Sequence, residues 1–393
     1  MSEISRKCQL YDTTLRDGAQ GEGVSFSTDD KVKVAKTLAG IGIDFIEAGY
    51  ASSSTEDTEI FRRLSEIDMD RTRVVAFGST RKKKLKAEDD PGLKMLIETG
   101  AKTVTLYGKS WDLHVEKILG TTLENNLDMV YDSIRFLRSK GLEVIFDAEH
   151  FFDGFKENLD YSLAVLERAE EAGASVLVLC DTNGGSFPNQ IGDITSKVCD
   201  RAKCEVGIHA HNDTECAVAN SISAVIAGAT HVQGTINGFG ERTGNANLIS
   251  VIAGLHKLGY ETLAQESMAK LTDVSRYIDR IVNVRSNPHM PYVGESAFTH
   301  KAGQHIDAVL KLPKAYEHIS PSLVGNKRRV LASKQSGKAA ILNKARQFKL
   351  EVGEGQVESL TKMVKELEKE GYEFENADGS LFLRMAEHLG VYQ

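Results

Sequence analysis

His209 and His211, in the string IHAHND, stand two residues apart at the end of an apolar run. In a β-strand, positions i and i+2 share a face, so both imidazoles project the same way. Two imidazoles side by side are costly unless something holds them, and a divalent metal is the usual solution. The structural alternative is a pair of histidines bonded to backbone. Two other strings carry matching chemistry: DTTLRDGAQ, with Arg16, Asp17 and Gln20, and NGFGERTGNANL, with Glu241, Arg242 and Asn245. A planar, permanently charged guanidinium at Arg16 suits a carbonyl or carboxylate beside a metal. Asp147 and Glu149 alternate onto one face of FDAEH, where paired carboxylates raise one pKa and poise a general base. Glu47 ends another apolar run and Thr182 follows Asp181, and both are candidates to touch substrate.

These residues need a scaffold that gathers them. The first 260 residues hold eight short apolar runs: Cys8–Thr14, Ile43–Glu47, Arg73–Gly78, Thr103–Tyr107, Glu143–Glu149, Ser175–Thr182, Glu205–Asn212 and His231–Asn237. Segments of helical period lie between them, such as Asp29–Ala39, Asn158–Ala172, Asn189–Ala202 and Glu215–Ala227. Strands separated by helices pair in parallel through right-handed crossovers. Eight such units in this length predict an α/β fold, a closed (β/α)8 TIM barrel over residues 1–260. Gly42, Gly100, Gly141, Gly173 and Gly228, just ahead of strands, read as helix C-terminal glycines. A doubly wound open sheet is the competing topology, but no G-x-G-x-x-G opens a helix after the first strand.

Barrel enzymes carry their reactive groups at the C-terminal ends of the strands. Closure sets strand 8 between strands 7 and 1, so Asp17, His209, His211 and Asn245 come from three consecutive staves. Their one carboxylate, two imidazoles and one amide oxygen form a mixed N/O metal site, compatible with Mg, Mn, Zn or Co. For Asp17 and Asn245 taken singly, turn and cap roles are the plain alternatives. The Gly-rich loop around Gly240 offers backbone N–H groups to anions, but the acidic Glu241 argues for close rim packing.

The character changes after Tyr260. Residues 261–393 read as a mainly helical extension of small subdomains, whose charged helix near Lys362–Glu370 is a solvated face. By spacing alone, His300, His305, Asp307, Tyr316 and His318 are surface or structural groups, and Lys327, Arg328 and Arg329 a solvated basic stretch.

Composition narrows the function classes. The chain has 393 residues, 41% hydrophobic and 26% charged, with a net charge of −8. That balance predicts no broad cationic surface for nucleic acid, and no apolar run reaches the ~18–20 residues of a membrane span. The first residues, MSEISRKCQL, lack the apolar stretch of a signal peptide. Five cysteines without CxxC spacing read as reduced thiols, and a cytoplasmic enzyme is expected.

Taken together, DTTLRDGAQ, IHAHND and NGFGERTGNANL resemble the DRE-TIM metallolyase superfamily, and within it the 2-isopropylmalate, homocitrate and citramalate synthases. AFGSTRKK, LYGKSWDLHV, FDAEHFFDG, CDTNGG and SAFTHKAGQHIDAVL are similar to the long-type (R)-citramalate synthases. The resemblance implies metal ligation by Asp17, His209, His211 and Asn245. It implies that Arg16 polarises a keto oxygen, that Glu149 acts in catalysis, and that Thr182 contacts the keto-acid carboxylate. It also implies a homodimer in which His305 and Tyr316 enter the other protomer's active site. The implied reaction condenses acetyl-CoA with pyruvate and hydrolyses the thioester, for isoleucine synthesis. Gln20, Glu47 and Asp147 are further substrate-binding candidates. The base is Glu149, or His305 acting with Tyr316. Another 2-oxo acid (2-ketoisovalerate, 2-oxoglutarate or oxaloacetate) is the nearest alternative. A lyase of the hydroxymethylglutaryl-CoA type would carry a cysteine in the loop after strand 8, and none stands there. A non-catalytic metal-binding relative is the remaining alternative. Long-type relatives continue into a C-terminal regulatory domain, which this chain is expected to lack.

Overall fold

A computed structural model describes residues 7–51, 55–333 and 335–391. Eight parallel strands close a barrel in sequence order. They are β1 (Gln9–Asp12), β2 (Phe45–Tyr50), β3 (Arg73–Ser79), β4 (Thr103–Lys109), β5 (Glu143–Glu149), β6 (Val176–Asp181), β7 (Glu205–Ala210) and β8 (His231–Gly234). Helices α1 (Thr28–Ala39), α2 (Thr55–Ser65), α3 (Pro91–Glu98) and α4 (Leu123–Ser139) follow the first four strands in turn. After β5 come α5 (Phe151–Glu157) and α6 (Leu159–Ala172), then α7 (Pro188–Cys199), α8 (Ala217–Ile226) and α9 (Leu248–Lys257) after the last three strands.

All eight expected strands form, each a short, mostly buried run stopped by turn chemistry. Gly42, Gly100, Gly141, Gly173 and Gly228 all have φ between 73° and 119°, the conformation that ends a helix at little cost to glycine. Four strands, β1, β6, β7 and β8, are shorter than expected. The run from His231 stops at Gly234, since Asn237 turns left-handed (φ 62°) and the chain closes into a tight 3₁₀ turn over Ile236–Gly238.

Alternation along the strands explains how the barrel carries polar residues inside. Outward positions such as Leu10, Ile46, Val104, Phe146, Leu179 and Val232 are buried against the helices. The inner layer joins Tyr11, Phe45, Val75, Ile145, Val176, Val178 and Cys180 in an apolar cluster. Polar inward residues (Glu47, Thr105, Asp147, His209, Gln233) are also buried, and their hydrogen bonds run across the barrel. A buried polar group is tolerated when its partners are in place.

The chain separates into two compact units, residues 1–285 and 286–393. The first therefore runs past the change of character seen at Tyr260. Helices α10 (Gln265–Met268) and α11 (Leu271–Ile281) belong to it. Leu271, Val274 and Ile278 of α11 are buried, and Asp279 accepts a 2.6 Å hydrogen bond from Asn237 in the rim turn.

The second unit has a two-stranded parallel sheet, β9 (Thr299–His300) with β10 (Arg329–Val330). Its helices are α12 (Gly303–Lys311), α13 (Lys338–Gln347), α14 (Glu354–Lys369) and α15 (Asp378–His388). Ala332, Ile341, Ala345, Leu360, Val364, Phe374, Leu381 and Met385 form its core. Among the described residues, no helix is long and apolar enough to cross a membrane.

Candidate metal and substrate site at the barrel mouth

The C-terminal ends of the strands open on a cavity of about 500 Å³. Arg16, Asp17, Gln20, Asp147, Glu149, Thr182, His209 and His211 all line it. The residues singled out by local spacing thus converge from β1, β5, β6 and β7.

Asp17, His209 and His211 are buried and bring ligand atoms within 4.8 Å of one another. His209 Nε2 lies 3.3 Å from His211 Nε2 and 3.5 Å from Asp17 Oδ2. Burial, reinforced by the neighbouring His211, pushes the His209 pKa down to about 3, and burial also lowers that of His211. Both rings are therefore neutral near pH 7 and have a lone pair to give. Burial works against ionising Asp17, but the Arg16 guanidinium and the two imidazoles outweigh it and hold its pKa near 2.

Asn245 reaches the same place through the rim. An isolated bridge pairs it with His211, and its Nδ2 donates to Asp17 Oδ1 at 3.1 Å. Its Oδ1 is buried and has no hydrogen-bond partner among the described residues. The glycines before it are there for close packing. A Cβ at Gly240 would sit 2.1 Å from Asn245 Nδ2, and one at Gly244 would sit 2.0 Å from the Gly238 carbonyl oxygen. An N₂O set of two neutral imidazoles and a carboxylate, with an orphaned amide oxygen beside it, fits a divalent cation.

Arg16 is held between two carboxylates. Its Nε donates to Glu47 Oε2 at 2.5 Å and its Nη1 to Asp17 Oδ2 at 3.2 Å. Glu47 is fully buried, and it also accepts from the Tyr11 hydroxyl at 2.9 Å. It therefore acts on the site through Arg16 and is not among the residues lining the cavity. The guanidinium lies 3.8 Å from the Phe77 ring centroid, and Phe77 stacks on Tyr107 at 5.3 Å. Tyr50 meets the other edge of Phe77 at 6.0 Å. These rings line one wall of the cavity.

The two strand-5 carboxylates are not a pair in the sense their spacing suggests. Burial first, and then the charge of Glu47, raise the Asp147 pKa well above the ordinary carboxylate range. Glu149 is instead in an ion pair with Lys109, its register partner on β4. Thr182 Oγ1 accepts a 2.9 Å hydrogen bond from the His150 amide. Arg242 leans over the rim and donates to the Thr182 carbonyl and to Asp213.

His305 and Tyr316 belong to the second unit, where their rings lie 4.3 Å apart and both are exposed. Glu317, next to Tyr316, is buried and takes a bidentate pair of 2.6 Å bonds from Arg328. Arg328, expected on a solvated basic stretch, is thus committed to an ion pair.

Spacing alone missed Tyr11, Phe77, Tyr107, Lys109 and Gln233. Each lies at an inward position of its strand, and that alternation was the available signal. Their partners are strand neighbours in space and not in sequence.

Comparison with known proteins agrees with this geometry. Residues 7–278 match the HMGL-like family, and residues 292–372 match the homocitrate synthase post-HMGL domain-like family. The (R)-citramalate synthase of Aquifex aeolicus is 50% identical over 392 residues, covering 99% of this chain and 74% of that protein. The 2-isopropylmalate synthase of Sulfolobus acidocaldarius is 35% identical over 377 residues, covering 95% of this chain and 94% of that protein. Among solved structures, the hydroxymethylglutaryl-CoA lyase of Pseudomonas aeruginosa superposes with a TM-score of 0.61 over 72% of this chain and 95% of its own, at 19% identity. At that identity the likeness concerns the fold.

Proposed function

The chain belongs to the HMGL-like family, and within it to the (R)-citramalate synthases; from that membership we propose that it condenses acetyl-CoA with pyruvate and hydrolyses the thioester to (R)-citramalate and CoA. The observation that carries the choice of keto acid is the wall of Tyr50, Phe77 and Tyr107 beside Arg16. An aromatic wall suits the methyl group of pyruvate better than a second carboxylate, which would lose its water against the rings without a partner. The product serves isoleucine synthesis, in the cytoplasm.

Asp17, His209 and His211, with Asn245 beside them, are the residues that would hold a divalent metal. Such an ion supplies Lewis acidity to the keto group and a template for the keto acid. The chain's own groups do the rest. Arg16 offers positive charge where the alkoxide develops, and Glu47 fixes the direction of its guanidinium. Thr182, whose oxygen already accepts from the His150 amide, has its hydroxyl hydrogen left for the keto-acid carboxylate. Gln20 and Asp147 border the same space. Lys109 holds the Glu149 carboxylate at the cavity wall, where it can take a proton from the acetyl methyl. His305 with Tyr316 is the alternative base.

The test is CoA-thiol release with pyruvate, 2-ketoisovalerate, 2-oxoglutarate and oxaloacetate in parallel. Pyruvate is expected to exceed the others by at least ~10-fold in kcat/KM, the discrimination a tight apolar wall gives per extra methylene or more. Preference for 2-ketoisovalerate would move the chain to the 2-isopropylmalate synthases. No turnover with any of the four would leave a non-catalytic relative.

A homodimer in which His305 and Tyr316 complete the other protomer's site makes a further prediction. Mixtures of Asp17→Asn and His305→Asn proteins, each inactive alone, regain activity after refolding together. Half the dimers are mixed and each mixed dimer has one intact site, so about a quarter of wild-type activity is expected. No recovery, with mixed dimers present by mass spectrometry, would refute sharing between protomers.

A further inference from the structure

We propose that Gln233 is the positioning residue that sets the tautomer and aim of His209. The inference rests on the metal reading of Asp17, His209 and His211. Gln233 lies on β8 with no exposed surface, and strand register places it directly beside His209 on β7. Both ends of its amide are used. Its Nε2 is 3.0 Å from Asp147 Oδ1, and its Oε1 is 3.0 Å from His209 Nδ1.

The polarity of this chain follows from what each atom can do. Gln233 Nε2 donates to Asp147 Oδ1. The amide oxygen then faces His209 and can only accept, so His209 Nδ1 must carry the proton. A neutral imidazole has one N–H, which leaves the lone pair on Nε2. Nε2 is the atom that faces Asp17 Oδ2 and His211 Nε2. Asp147, in the substrate cavity, thus fixes the ligand atom of His209 through one side chain. His211 has no such support, since its buried Nδ1 has no hydrogen-bond partner among the described residues. The geometry therefore assigns the burden of preorganisation to His209. Partners of this kind are worth roughly 10–100-fold in metal affinity.

The test uses metal-stripped full-length protein and Mn²⁺, with free ion followed by electron paramagnetic resonance. Gln233→Leu keeps the volume and removes both bonds; it is expected to weaken Mn²⁺ binding by about 10–100-fold. Gln233→Glu keeps an oxygen acceptor towards His209 and is expected to recover most of the affinity. Should the leucine variant not fold, the wild type itself decides. Long-range ¹H–¹⁵N correlation spectra of histidine-labelled, metal-free protein should show the Nδ1–H tautomer at His209. An Nε2–H tautomer there, or wild-type Mn²⁺ affinity in Gln233→Leu, would overturn the proposal. Wild-type protein that binds no Mn²⁺ would instead overturn the metal reading on which it rests.

Discussion

Arg16→Met is expected to lower kcat by about 10²–10³-fold, the usual loss when one preorganised charge at a developing oxyanion is removed. It is also expected to cost about 3–5 kcal/mol of stability, because Glu47 is left as an uncompensated buried charge. The two effects have different origins and can be separated. Adding Glu47→Gln to Arg16→Met removes the stranded charge while keeping an oxygen for the Tyr11 hydroxyl. The double variant should regain most of the thermal stability and none of the turnover. Calorimetric unfolding together with CoA release measures both. If Arg16→Met turns over like wild type, Arg16 does not polarise the keto oxygen. If Glu47→Gln returns no stability, the loss was not one of charge balance.

Asp17→Ala and His211→Ala are expected to abolish metal-dependent turnover with little change in the unfolding midpoint. Asp17 is the only anionic member of the proposed ligand set, and without it two neutral imidazoles and an amide oxygen must hold a doubly charged ion in a buried site. The fold tolerates the change because Arg16 keeps Glu47 as its partner and both imidazoles are already neutral. Equilibrium Mn²⁺ binding to stripped protein and CoA release after restoring Mg²⁺ or Mn²⁺ give the two readouts. Near-normal activity of either variant in chelator-treated buffer replenished with metal would remove the metal site from the mechanism.

Short-range spacing carried a large part of this structure. The i, i+2 histidines needed only the period of a strand to share a face, and the glycine-stopped helices needed only a positive φ. Eight apolar runs at barrel spacing then made Asp17, His209 and Asn245 neighbours before any distance was known. All three lie together, and Arg16, Gln20, Asp147, Glu149 and Thr182 line one cavity with Asp17 and His209.

What local spacing could not supply depends on register and on packing between distant segments. Asp147 and Glu149 share a face, yet the charge acting on Asp147 is that of Glu47 and the partner of Glu149 is Lys109. Those pairings follow from which strands lie side by side and how they are offset. The first compact unit runs to residue 285 and takes in α11, whose apolar period is legible in its own residues while the partners of that face are not. Gln233 has no local pattern that marks it out; its role appears only when β8 is laid beside β7 and faces β5 across the barrel. Side-chain chemistry and strand period are properties of a few consecutive residues. The direction of a hydrogen bond between strands is a property of the closed barrel.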